Sequence, residues 1–338
     1  MAHPIPFSIL DLAHIGQDKT VHQAVRNSQQ TAQLAETQGF ERVWLAEHHG
    51  MRGVASAATA VMLAGVGAAT SKIRIGSGGV MLPNHSPLVI AEQFGTLDAL
   101  YPGRIDLGLG RAPGTDMATA RALRRDLSSN VNDYPADVQA LQDYLADDSA
   151  GGPVLAVPGA GSNVPLWLLG SSLYSAQLAG KMGLPYSFAS HFAPDALHDA
   201  IRIYKMNFQP SAQLQRPYVS AGVMAVVADT EEEAQYLFSS VQQQFANLRR
   251  GLNEPMPAPV DNLHGLLSAG EIHAINSTLR YAVVGTPAQV QQQLADFIAD
   301  TGIDEIILSF PITDDEKCHQ AIRQVGAMTE IKSAPSWQ

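Results

Sequence analysis

Apolar and polar positions vary along this chain on two length scales. Apolar runs of four to seven residues recur at Phe7–Leu12, Arg42–Ala46, Ile73–Gly76, Ile105–Leu109, Leu166–Leu169, Tyr186–Ala189, Ala221–Val227 and Ile306–Phe310. Runs of this kind read as strands buried on both faces of a parallel sheet. Between them lie longer stretches with helical spacing. In Val21–Gln38, for example, Val21, Val25, Ala32 and Ala35 fall on about one face. One junction repeats in AETQGFERVWLAE, DALYPGRIDLGLG, GKMGLPYSFAS and ADTGIDEIILSF, where a helical pattern ends at a glycine and an apolar run follows. Glycine suits the left-handed residue that closes a helix. Strands alternating with helices imply βαβ units, and eight such strands predict an α/β fold, a (β/α)8 TIM barrel with insertions, as one domain over residues 1–338. A doubly wound open sheet is the alternative. The residues after its first strand, AHIGQDKT, do not supply the glycine fingerprint of a dinucleotide site.

Two spans exceed ordinary connections. Ser128–Asn163 holds a helical pattern at Val138–Leu145 and then the loop GGPVLAVPGAGSNVP. Arg249–Arg280 lacks strong periodicity and reads as a mobile lid over the site, residues 249–281. The tail SAPSWQ is expected to fray. The longest apolar stretch, Val54–Thr70, is rich in alanine and glycine and reads as a buried core helix rather than a membrane span. The first residues, MAHPIPFSILDLAH, lack the basic start of a signal peptide.

Charge and cysteine content narrow the function. With 32 acidic and 21 basic residues the net charge is -11, which argues against nucleic acid and anionic membrane as partners. The single cysteine, Cys318, excludes an internal disulfide framework and a Cys-rich zinc site, and suits a reducing cytoplasm. A barrel carries its chemistry at the C-terminal ends of its strands. That rule selects Glu47, His48 and His49 after the second strand, and Gly76 to Gly79 with His85 after the third. It also selects Arg111 after the fourth, Ser171 and Ser172 after the fifth, and Ser190 and His191 after the sixth.

Neighbours on a strand point to opposite faces, so His48 and His49 would not chelate one metal well, and no metal is expected. One of the two can act as acid, base or hydrogen-bond donor near neutral pH, and the residues alone leave open which. Arg111 is a candidate anion ligand, since guanidinium binds phosphate bidentately. Gly170-Ser171-Ser172 opens a helix, which is either a phosphate cradle or a plain N-cap. The glycines of Gly76-Ser77-Gly78-Gly79 let a flat ring approach the backbone, or simply let a strand exit tightly.

The ordered series GFERVWLAEHH, IRIGSGGVMLPNHSPLVIAEQFGTLDALYPGRIDLGLGRAPG, PLWLLGSSLYSAQLAGKMGLPYSFAS, VGTPAQV and DTGIDEIILSF resembles the bacterial-luciferase-like family of flavin-dependent monooxygenases, over nearly the whole length. It looks closest to the single-chain oxidoreductases of unassigned substrate in that family. The resemblance implies a homodimeric TIM barrel that takes reduced FMN from a separate flavin reductase. It also implies oxidation of a small organic substrate by oxygen through a C4a-peroxyflavin. Residue by residue, it assigns His48 as catalytic, Arg111 and Ser171 to the FMN phosphate, and Gly78 and Gly79 to the ring. Ser190 and His191 fall along the flavin face. The same superfamily implies two alternatives: an F420-dependent hydride-transfer oxidoreductase, or a non-catalytic flavin-binding protein. The sequence departs from the light-emitting catalytic subunit at Gly110 and Gly170, where that subunit carries a cysteine and an acidic residue.

Overall fold

The computed structural model describes residues 4–112, 117–123, 133–147 and 153–336. Eight strands close a parallel ring: β1 (Phe7–Asp11), β2 (Arg42–Leu45), β3 (Arg74–Met81), β4 (Ile105–Gly110), β5 (Leu166–Gly170), β6 (Tyr186–Phe188), β7 (Val219–Val227) and β9 (Glu305–Ser309). The ring closes because β9 pairs with both β7 and β1. Each of these strands coincides with one of the apolar runs, as expected where a sheet is covered on both faces. A further strand, β8 (Val283–Gly285), stands outside the ring and pairs with Ala225–Val227 at the end of β7. The fold is thus the (β/α)8 barrel the alternation predicts.

Helices α1 (Val21–Thr37), α2 (Thr59–Ala69), α3 (Pro87–Leu100), α4 (Met117–Leu123), α5 (Tyr134–Leu145), α6 (Leu173–Met182) and α7 (Leu197–Asn207) follow the first six strands. Helices α10 (Pro287–Thr301) and α11 (Asp315–Gly326) flank β9. The four junction glycines all adopt the left-handed conformation, with φ of 70° at Gly39, 74° at Gly103, 62° at Gly183 and 59° at Gly302. The α1 face differs from expectation. Its buried side is Ala24, Ser28, Thr31, Ala32 and Ala35, while Val21 is 58% exposed and Val25 only half-buried. Small residues there let α1 lie close to α2 and α11, so size outranks hydrophobicity in choosing the face. The C-terminal tail is held rather than frayed as far as Ser336. The Ser333 amide donates to Ile5 O at 2.9 Å, and the Ser336 amide donates to Glu41 Oε2 at 2.6 Å.

Between β7 and β8 lies an excursion that the barrel itself does not need: α8 (Glu231–Arg249), a strap from residue 250 to 268, and α9 (Ala269–Thr278). The segment read as lacking periodicity therefore contains a helix. Ser268 and Glu271 form a reciprocal capping box at its start. Arg250 pairs with the same Glu271 at 2.7 Å. Helix α2 also departs from the reading of Val54–Thr70 as core. It starts only at Thr59, and Val61 on it is 74% exposed.

Inside the ring, at the N-terminal ends of the strands, sits a charged floor. Arg42, the first residue of β2, donates to both oxygens of Glu305, the first residue of β9, at 2.8 and 3.2 Å. Its third nitrogen donates to Asp106 at 2.6 Å. Glu305 also accepts from Tyr218 at 2.9 Å, and Asp106 accepts from Trp44 Nε1 at 3.2 Å. The Arg42 guanidinium lies 4.9 Å from the ring centre of Trp167. Above this floor the barrel interior is filled by Leu10, Trp44, Ala46, Trp167 and Ile307.

Candidate functional site

A cavity of about 660 Å³ opens above that layer, lined by the C-terminal ends of the strands. Its innermost wall is backbone. Gly78 and Gly79, in the second half of β3, both line it, and the peptide bond between them is cis. A Cβ on Gly79 would stand 2.6 Å from the Gly108 carbonyl oxygen, and one on Gly78 would stand 2.7 Å from Leu10 Cδ1. A flat group can therefore lie against this wall only because both residues lack side chains.

One end of the cavity is built for an anion. Arg111 directly follows the last residue of β4, and its guanidinium carbon lies 4.4 Å from the ring centre of Tyr174, in the first turn of α6. That stack holds the fork at the mouth of α6, whose N-terminal amides carry partial positive charge. The two readings of the Gly170-Ser171-Ser172 turn fall on different serines. Ser172 is the N-cap and accepts from the Ser175 amide at 3.4 Å, while Ser171, one residue earlier, lines the cavity beside Arg111.

The structure also divides the histidine pair. His48 lines the cavity; His49 donates its Nε2 hydrogen bond to Glu47 Oε1 at 2.8 Å. His85 Nε2 meets the same oxygen at 2.8 Å, and the Met81 amide donates to the other at 3.2 Å. Burial pushes the Glu47 carboxyl up, but the bond and charge of His85, then His49 and Met81, outweigh it and hold it below the ordinary carboxylate value. Glu47 thus ties the exit of β2 to the exit of β3 on either side of His48.

Two further histidines share the cavity with His48. Burial, with smaller contributions from Lys19 and His48, lowers His14 from its ordinary 6.5 to about 4. Burial and then His48 lower His191 likewise to about 4. Both are neutral at pH 7. The His191 ring packs on the bare backbone of Gly222, where a Cβ would lie 2.2 Å from Nδ1. Ser190 is placed differently from its neighbour. It is fully buried, donates to Gly222 O at 2.6 Å, and fastens the end of β6 to β7 rather than lining the cavity.

The outer wall was not anticipated from the sequence. Val241, Gln244, Phe245, Leu248 and Arg249 of α8 face the cavity. Their spacing of three, four, seven and eight residues is that of one helix face, a signal present in SSVQQQFANLRR. Opposite them stand Met51, Val54 and Met256. The strap is pinned to the loops after β1 and β2. Asn253 Nδ2 donates to Gly50 O at 2.6 Å, the Arg52 amide donates to Asn253 Oδ1 at 2.9 Å, and the Met256 amide donates to Ile15 O at 2.9 Å. Arg249 joins α8 to α9 by donating to Ala274 O and Thr278 Oγ1, at 3.0 and 2.6 Å.

The family model described as luciferase-like monooxygenase matches residues 5–305. The chain belongs to the luciferase-like monooxygenases. An Escherichia coli K12 member, itself named luciferase-like monooxygenase, is 49% identical over 317 residues, covering 94% of this chain and 93% of the relative. The N-acetyl-S-alkylcysteine monooxygenase of Bacillus subtilis is 31% identical, covering 91% of this chain and 93% of the relative. The solved structure of apo-MsnO8 superposes with a TM-score of 0.90 at 32% identity, covering 97% and 99% of the two chains. Luciferase-like monooxygenases and their structural neighbours include proteins described with FMN and others described as F420-dependent. Membership places this chain among oxidoreductases that use a flavin or F420. Among the described residues of this luciferase-like monooxygenase, no helix is long and apolar enough to cross a membrane.

Proposed function

We propose that this chain is an FMN-dependent monooxygenase that uses reduced FMN and oxygen on a small organic substrate. One observation carries the reading. Arg111 and Ser171 meet at the N-terminus of α6, in the same cavity that holds the bare wall of Gly78-Gly79 and the side chain of His48. The first pair suits a terminal phosphate, and the glycine wall suits a flat ring system. When bound, reduced FMN supplies two electrons to oxygen, so that one atom enters the substrate and the other leaves as water.

This chain's own residues do the rest. Arg111 grips the phosphate through charge-assisted hydrogen bonds, and the amides of α6 add to it. Gly78 and Gly79 admit the ring. His48 donates or accepts a proton at its imidazole, with neutral His14 and His191 beside it. His191 adds apolar contact to the flavin face, and Ser190 acts through it by fixing the end of β6. The apolar outer wall excludes water, and residues 249–281 serve as the lid. A separate flavin reductase supplies the reduced FMN. The reducing cytoplasm suits the single buried Cys318.

Titration of FMN against the protein tests this. Arg111→Ala should weaken FMN binding about tenfold to a hundredfold, the worth of a charged hydrogen-bonded contact. Unchanged affinity rejects the phosphate assignment. F420 binding tighter than FMN replaces the reading with an F420-dependent hydride transfer. FMN binding without any oxygen-dependent turnover leaves a flavin-binding protein.

A second copy of the chain is the proposed macromolecular partner. Helix α2 is apolar on every side, yet Val61 on it, with Val89 and Leu100 on α3, is exposed in the single chain. Sedimentation should return about twice the 36.1 kDa chain mass, and Val61→Asp should return it to the single-chain mass.

A further inference from the structure

The cavity has two chemically different halves. If FMN occupies the barrel side, as proposed above, the half facing α8 remains for the substrate. There Val241, Phe245, Leu248 and Met256 offer hydrocarbon and thioether surface. One polar side chain interrupts this wall. The Oε1 atom of Gln244 is buried and has no hydrogen-bond partner. Its Nε2 lies towards Gly53, where it would be 3.7 Å from a Cβ on that residue.

A buried carbonyl oxygen without a donor costs about 1–3 kcal/mol, so its persistence on a cavity wall points to a donor that arrives with a ligand. The charge of the site constrains that ligand further. Arg111 lies at the phosphate end, and Arg249 is engaged with α9. His14 and His191 carry no charge at neutral pH. Nothing in the α8 half therefore compensates an ionised group, which would lose its hydration on entering.

We infer that the α8 stripe is the substrate subsite and that Gln244 selects an uncharged, mainly apolar molecule bearing one N–H or O–H donor. The apolar chain lies along Val241, Phe245, Leu248 and Met256, and the donor meets Gln244 Oε1. A secondary amide or an alcohol on a short alkyl chain has this chemistry; a carboxylate of the same length does not.

Three probes separate these features: N-hexylacetamide, which has the N–H; N-hexyl-N-methylacetamide, which lacks it; and hexanoate, which is charged. Calorimetric titration of each is carried out with and without FMN. N-hexylacetamide should bind about fivefold to tenfold tighter than its N-methylated analogue, the range of one neutral hydrogen bond. Hexanoate should bind weakest. Gln244→Leu should erase the difference between the two amides and leave FMN affinity unchanged. Val241→Trp, which fills the subsite, should abolish amide binding while FMN still binds. Equal binding of the two amides to the unaltered protein overturns the inference, as does preferential binding of hexanoate or an amide preference that survives Gln244→Leu. If the amide pattern appears but FMN does not bind, the cofactor reading fails and the substrate class stands on the cavity alone.

Discussion

Replacing Arg42 with leucine is expected to destabilise the fold by about 3–5 kcal/mol, the largest stability effect foreseen for any single change in this chain. Arg42, Asp106 and Glu305 are all nearly excluded from solvent. Ion pairs taken out of water contribute little net stability, because desolvation offsets most of their attraction. Removing one partner is different. Leucine at 42 leaves the carboxylates of Glu305 and Asp106 facing each other's surroundings without their shared guanidinium. Arg74 still reaches Asp106, with Nε to Oδ1 at 3.0 Å, but Glu305 keeps only the hydroxyls of Tyr218 and Ser8. Denaturant unfolding of the two proteins measures the difference. Adding Glu305→Gln to Arg42→Leu should recover part of the loss, since the stranded charge is then gone. A loss below about 1 kcal/mol for the single change would mean that the floor tolerates an unpaired carboxylate, contrary to the energetics of buried charge.

His48→Ala is expected to lower the rate of substrate oxygenation by about 10²–10⁴-fold, the usual contribution of one acid–base side chain, while FMN affinity stays within about twofold. The separation follows from geometry. Phosphate recognition falls to Arg111 and the start of α6, and the ring wall is glycine backbone, so His48 carries little of the binding. Nor can its neighbours take over. His14 and His191 are held near 4 by burial and bind no proton at neutral pH. His48→Gln keeps a hydrogen-bond donor but cannot shuttle a proton. If glutamine restores most of the rate, His48 positions rather than transfers. Turnover under saturating reduced FMN, with released hydrogen peroxide counted, gives the answer. Unchanged turnover with alanine at position 48 would remove His48 from the chemistry.

The barrel was legible in the sequence because burial on both faces leaves each strand as an uninterrupted apolar run bounded by a left-handed glycine. The eight runs and the four glycines at 39, 103, 183 and 302 carry that signal directly. Where the reading departed from the structure, the cause was local. On α1 the core side is marked by size, through Ala24, Ser28 and Thr31, whereas a hydrophobic template favours Val21 and Val25. Strand β8 has three residues and pairs outside the ring, too short a run to stand out. Helix α9 announces itself through Ser268 and Glu271 rather than through periodicity. At the site, Arg111, Ser171, Gly78, Gly79, His48 and His191 all reach one cavity, because strand ends converge in any closed barrel. Ser190 shares their sequence position but not their orientation, since adjacent residues at a strand end face opposite ways. The α8 stripe lies far along the chain from every strand end, so no rule about barrel mouths would select it.

The excursion from the end of β7 to β8 leaves the ring and returns to it at the same strand. Ring closure depends on β7 and β9, and the charged floor depends on residues outside the excursion. The residues proposed to hold FMN also come from other loops. Substrate choice and cofactor use are therefore written in separate stretches of sequence. Substitutions along α8 can accumulate without disturbing either the ring or the anion site, so relatives sharing one cofactor can drift toward different substrates. On this architecture, an exchange of residues 228–282 between two members is the natural unit of inheritance for specificity.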